Sequence, residues 1–137
     1  QADHVGGEES KYPWGQTLEP TRANTWRSGR GDTVAVHEFT SGATPNGIVQ
    51  LIGNVWEWVD GVFGGEALSS GWRWIWREPL AELRGGAFDT YFPGQTTSQF
   101  RSGYPFLFRG NNVGFRCCVS AQQLVPPPDP AAFLTAR

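Results

Sequence analysis

The chain is 137 residues long, one domain's worth and enough to bury a real core. Its net charge of −2 and the lack of any basic stretch leave nucleic acid without support as a partner, and no apolar run approaches the roughly 18 residues of a membrane span. Charged residues make up only 18% while there are 18 glycines, 7 tryptophans and 9 phenylalanines, which suits a loop-rich domain with an aromatic core. Of the eleven basic residues only Lys11 is lysine, and there is no methionine, a bias expected of a GC-rich genome or a thermophilic source. Because the sequence opens on Gln1, it reads as a processed, cloned or truncated piece.

Residues 1–47 read mostly as loop, punctuated by Gly6-Gly7, Pro13, Gly15, Pro20, Gly29, Gly31, Gly42, Pro45 and Gly47. Within them the modest alternation from Thr33 to Phe39 predicts a short strand. The anchor segment, 48–60, contains Gly53-Asn54-Val55-Trp56-Glu57-Trp58-Val59-Asp60. In a strand, Trp56 and Trp58 share one face as core anchors and Glu57 lies on the other. If that second face is also covered, Glu57 must accept hydrogen bonds or meet a cation.

Trp72-Arg73-Trp74-Ile75-Trp76 alternates strictly and places three tryptophans on one face, either a ridge over the core or an aromatic wall of a site. Pro79 then ends the strand. Residues 87–113 differ in character: five Phe and two Tyr stand among Gly, Pro, Ser, Thr and Asn, with no Lys, Glu, Met or Trp. Aromatic anchors among short polar residues is the composition of a recognition surface. The candidate binding residues are Phe88, Asp89, Thr90, Tyr91, Phe92, Thr96, Tyr104, Phe106, Leu107, Phe108, Asn111 and Asn112. All but Phe88 and Thr96 are expected to be largely solvent-accessible on one face, because seven tryptophans already fill the core. The adjacent Cys117 and Cys118 are awkward to join and read as two small buried hydrophobes. Residues 121–137 hold Pro126-Pro127-Pro128-Asp129-Pro130, a stiff extended tail beyond a domain of residues 1–120.

Four pieces of this sequence resemble, in order and spacing, the formylglycine-generating enzyme family, the sulfatase-modifying-factor type of C-type lectin fold. They are Tyr12-Pro13-Trp14-Gly15 with Ala23-Asn24-Thr25, Gly53-Asn54-Val55-Trp56-Glu57-Trp58, Leu83-Arg84-Gly85-Gly86-Ala87-Phe88, and Arg101-Ser102 with Gly114-Phe115-Arg116-Cys117. The resemblance implies an α+β C-type lectin-like fold, loop-rich with short antiparallel strands. The family's amphipathic helices normally lie upstream of Tyr12 and are missing here, as is the strand that pairs with Gly114-Phe115-Arg116. Either the true protein is longer or other segments take those roles. One cysteine at the place of Cys117 or Cys118 can pair far upstream in the resembled enzymes, but this chain has no such partner.

The resemblance also implies a calcium site, carried over to Gln50, Gly53, Val55 and Glu57. Carbonyls two residues apart in a strand point the same way, and calcium takes oxygen ligands. The alternative is Glu57 satisfied by backbone N–H groups or by an arginine. No other cofactor is required. The resembled oxidases carry two catalytic cysteines just after Leu-Arg-Gly-Gly-Ser, where thiolates hold copper. Here Asp89-Thr90-Tyr91-Phe92-Pro93-Gly94 stands in that place, without Cys or His, so no oxidase activity is expected. A second resemblance is to the variable proteins of diversity-generating retroelements, which use the same fold and diversify the segment between the Leu-Arg-Gly-Gly and Gly-Phe-Arg strands. Mutation of adenines in an Asn codon yields residues such as Phe, Tyr, Asp, Ser, Thr, Gly, Pro, Leu or Arg but never Lys, Glu, Gln, Met or Trp, and residues 87–113 fit that exclusion apart from Gln95 and Gln99. The expectation is a ligand-binding protein with an unknown protein or surface ligand as partner. The alternative is a degenerate or undiversified domain of the same type, enzymatic or structural.

Overall fold

A computed structural model of the chain describes residues 10–64 and 79–120. Its frame is a four-stranded sheet in the order β3-β2-β1-β4. The strands are β1 (Trp56–Val62), β2 (Leu80–Arg84), β3 (Ser102–Pro105) and β4 (Val113–Gly114). β1 forms where bulky aromatic and β-branched side chains alternate with polar ones, the pattern that packs a half-buried pleat. It pairs antiparallel with β2 through Glu57 opposite Arg84 and Trp58 opposite Leu83, and the register slips before Val62 meets Ala81. β3 pairs antiparallel with β2 and ends at Pro105, a position open to proline because β3 is an edge strand.

The expectation of antiparallel strands alone is corrected at β4, which runs parallel to β1 with Trp56 opposite Val113. A parallel pair needs a long crossover, and the chain from β1 through β2 and β3 supplies it. β1 thereby supplies a partner for Gly114, at the start of the Gly114-Phe115-Arg116 segment. Among the described residues the helical content is three short 3-10 turns, at Trp26–Ser28, Thr40–Gly42 and Pro93–Thr96. None of the described helices is long and apolar enough to cross a membrane.

The core is small and has two parts. Trp56, Leu83 and Ala87 form one, with Trp58, Phe100, Tyr104 and Val113 packed against it; Tyr12, Ala23 and Ile52 form the other, with Trp14 and Leu18 alongside. Burying a side chain of the size of Leu83 is worth about 1.5–3 kcal/mol. Trp56 is the buried anchor that the alternation predicts, whereas Trp58 on the same face is only half-covered. Trp26 is exposed and Trp14 partly so, which corrects the picture of a core filled by tryptophan. The Trp72–Trp76 alternation and the proline tail lie outside the described residues.

Two further expectations change. Thr33–Phe39 is not a strand, because side chains rather than a second strand satisfy its backbone. Val34 N–H donates to Asn54 Oδ1 at 2.9 Å, and the Ala35 carbonyl accepts from Gln50 Nε2 at 2.8 Å. Cys117 and Cys118 are exposed and free, because the chain leaves the sheet after Gly114 and runs over the surface.

Candidate binding site

The base of the site is a buried polar turn built from two of the sequence motifs. Asn24 is fully buried, and its carbonyl accepts the Asn54 N–H at 2.7 Å. Its side-chain amide donates to the Asp32 carbonyl at 2.9 Å and to Asn54 Oδ1 at 3.1 Å. Buried amides are tolerated only when paired in this way. Gly53 is required between them, since a Cβ there would stand 2.4 Å from the Asn24 carbonyl oxygen and its φ is +82°. The same turn holds the next segment, as Gly53 N–H donates to the Gly85 carbonyl at 2.9 Å and Phe88 N–H to the Asn54 carbonyl at 3.0 Å.

From that base side chains alternate inward and outward over residues 88–91, and the alternation then stops. Phe88 and Thr90 are buried at 7% exposure each, while Asp89 is exposed and Tyr91 and Phe92 are 62% and 63% exposed. Thr90 closes the turn: its hydroxyl accepts from Ala87 N–H at 2.9 Å and its N–H donates to the Ala87 carbonyl at 3.0 Å. Thr96 is fully buried, its hydroxyl donating to the Pro93 carbonyl at 2.9 Å. Phe88, Thr90 and Thr96 are therefore corrected from recognition residues to supports, because local backbone bonds and core packing claim them.

The second loop leaves β3 at Pro105. Phe106 and Leu107 are 56% and 86% exposed. Phe108 turns back, its N–H donating to the Pro105 carbonyl at 2.8 Å and its ring lying 4.6 Å from that of Tyr104. Tyr104 is itself half-buried against the core, so it serves as a pedestal rather than a fully exposed contact. Asn111 is exposed, and Asn112 bridges the two loops by donating from Nδ2 to Asp89 Oδ2 at 3.0 Å. The structure thus brings Asp89, Tyr91, Phe92, Phe108 and Asn112 into linked loops held at both ends by the sheet.

Composition did not single out Trp26. It stands on the 3-10 turn at Trp26–Ser28, 57% exposed, with its ring edge-on to Tyr91 at 6.2 Å, and Tyr91 in turn meets Phe92 at 5.3 Å. The only sequence cue was its place immediately after Ala23-Asn24-Thr25, the motif that positions it.

The carried-over calcium ligands Gln50, Gly53, Val55 and Glu57 lie just ahead of β1 and within it. Gly53 and Val55 precede β1, and Gly53 and Asn54 have positive φ, so the strand geometry that would align two carbonyls is absent there. Glu57, the one charged member, is held by Arg116, with Nε at 2.7 Å from Oε2 and Nη2 on Oε1. The same guanidinium donates to the Val49 and Gln50 carbonyls, each at 3.2 Å. Its hydrogen bond with Glu57 pushes Arg116 above the ordinary arginine range, against the lowering effect of burial. Gln50 spends its amide on the Ala35 and Glu38 carbonyls, and its Oε1 is buried with no hydrogen-bond partner among the described residues. An arginine thus stands where a cation was expected to meet Glu57.

The described part of the sheet, its two glycine-led turns and the closing arginine fall within residues 1–121, which match the family model described as the sulfatase-modifying factor enzyme 1-like domain. No curated protein matches the sequence.

Proposed function

We propose that this chain, which belongs to the family of sulfatase-modifying factor enzyme 1-like domains, is a ligand-binding protein rather than an oxidase. Its recognition surface is the pair of loops within 87–113, used as in the variable proteins of diversity-generating retroelements. The observation that carries this reading is the separation of roles along one segment. Tyr91, Phe92, Phe106 and Leu107 project into solvent, while Phe88, Thr90, Thr96 and Tyr104 hold the loops to the sheet. Exposed aromatics on a fixed base bind at low cost in conformational entropy. Asp89 and Asn112 add polar contacts, and Trp26 extends the surface from a third segment.

The reaction of the resembled oxidases needs thiolates, and the sequence has no cysteine between Leu83 and Arg116. The C-type lectin-like form of the fold and the absence of a resident cofactor belong to the same reading.

Two measurements test it. Sequencing the gene from many cells of one population should show substitutions at adenine positions of the codons for exposed residues such as Tyr91, Phe92, Phe106 and Leu107, with Leu83–Ala87 and Gly114–Arg116 constant. Substitutions spread evenly over the gene would remove the diversification. Incubating the protein with copper and a cysteine-containing sulfatase peptide should leave the peptide mass unchanged; formylglycine in the product would replace the binding reading by the enzymatic one.

A further inference from the structure

Away from the exposed aromatics, an open cleft of about 430 Å³ is lined by Ser10, Arg84, Ser98, Gln99 and Arg101. Its charge is set by one buried carboxylate. Glu82 is 6% exposed on β2 and accepts a hydrogen bond from Arg84 Nε at 2.7 Å through Oε1. Its other oxygen lies 3.7 Å from Arg101 Nη1, an ion pair too long to be a hydrogen bond. Two guanidinium groups therefore share a single negative charge, and the trio carries a net charge of +1.

The donors are unevenly spent. Arg84 has a second, long bond from Nη1 to the Ser98 carbonyl at 3.4 Å. Arg101 makes no side-chain hydrogen bond among the described residues, and its side chain is 53% exposed. The wall opposite is already fixed, because Ser98 Oγ and Gln99 Nε2 donate to the Ser10 carbonyl at 2.9 Å and 3.3 Å. The carboxylate attracts both guanidinium groups but neutralises only one of them, so one positive charge is left uncompensated and favours a further anion. A planar guanidinium fork with unspent N–H groups matches the oxygens of a tetrahedral oxyanion.

We propose that this cleft binds a phosphate-type oxyanion, free or carried as a monoester, between Arg84 and Arg101, with Glu82 orienting both arginines. The site does not depend on the function proposed for the aromatic loops.

The test is titration of the protein with inorganic phosphate and, separately, with phenyl phosphate, at constant ionic strength. The readouts are calorimetry and the arginine Nε–H resonances in NMR. Saturable binding that moves the Arg84 and Arg101 resonances is expected. Arg101→Gln should weaken it by about tenfold or more, the effect of losing a charged hydrogen-bonding group. Arg30→Gln, which removes the same charge elsewhere, should leave it unchanged. Tighter binding of the ester would identify the ligand as a group on a larger molecule, whereas binding of inorganic phosphate alone would identify a free ion. No saturable binding, resonance changes confined to other arginines, or equal losses in the two variants would overturn the site. The resonance measurement on the unsubstituted protein decides the matter even if Arg101→Gln does not fold.

Discussion

Asn24 and Leu107 are the opposite extremes of this molecule. Asn24 is polar and fully buried, whereas Leu107 is apolar and 86% exposed. Asn24 stays inside because every direction it faces offers a partner, in Asp32, Asn54 and Ser28. Leu107 stays outside because the loop that carries it is pinned at Pro105 and Val113 and the core beneath is already occupied by Tyr104. Position in a fold is thus decided by which groups are satisfied and by which backbone is held, and polarity alone mispredicts both residues. The difference separates a cradle, where each substitution should be felt in stability, from a rim, where it should be felt in recognition.

The largest expected effect lies in the cradle. Leu83→Ala removes a fully buried side chain and should cost about 2–5 kcal/mol in denaturant unfolding. A loss under about 1 kcal/mol would mean that the β1–β2 packing does not hold the domain. Next comes Asn54→Ala, which strips partners from Val34 N–H and the Asn24 amide. Each orphaned group costs about 1–3 kcal/mol, so a melting temperature equal to that of the unsubstituted protein would show that water replaces the network.

Arg116→Gln probes the boundary between the two regions. The pair with Glu57 is partly solvent-exposed, so its loss should cost only about 1 kcal/mol after screening. In the unsubstituted protein, chelator should leave the melt unchanged, since an ion that binds the native state must stabilise it. A calcium-dependent melt would show that a metal displaces the arginine. The smallest stability effect belongs to the rim. Replacing Tyr91, Phe92, Phe106 and Leu107 together by Ser should shift stability by about 1 kcal/mol or less, in keeping with exposed positions. Unfolding of that variant would make these residues core and erase the distinction.

Part of the cradle was legible because its signals are local. Trp56-Glu57-Trp58 announces a strand with a charge needing a partner, whereas Gly53-Asn54, read as part of the same extended segment, is a turn with positive φ at both residues. An arginine was one of the partners expected for Glu57, and Arg116 takes that place across 59 residues of sequence. The rim was legible as a segment but not residue by residue. Composition marks 87–113 as unusual, yet it cannot tell Phe88 from Phe92, because the alternation that begins where Asn54 grips the Phe88 N–H ends at Tyr91, and Phe92 stays exposed beside it. Thr33–Phe39 misled for a related reason: its alternation is real, but Gln50 and Asn54 reach it before any strand can. Trp26 was hidden because a single aromatic on a 3-10 turn has no periodicity to read.

The parallel seating of β4 beside β1 has one more consequence. The chain between Pro105 and Val113 is a tether whose two ends are fixed independently, one on β2 through β3 and the other on β1. Closing such a tether costs an entropy that grows only with the logarithm of its length, so doubling the 106–112 connection would cost about 0.6 kcal/mol. This part of the molecule can therefore change in reach as well as in chemistry. Insertions at residues 106–112 would carry new side chains further from the sheet, while the same insertions between Gly85 and Thr90 would pull the backbone off Asn54.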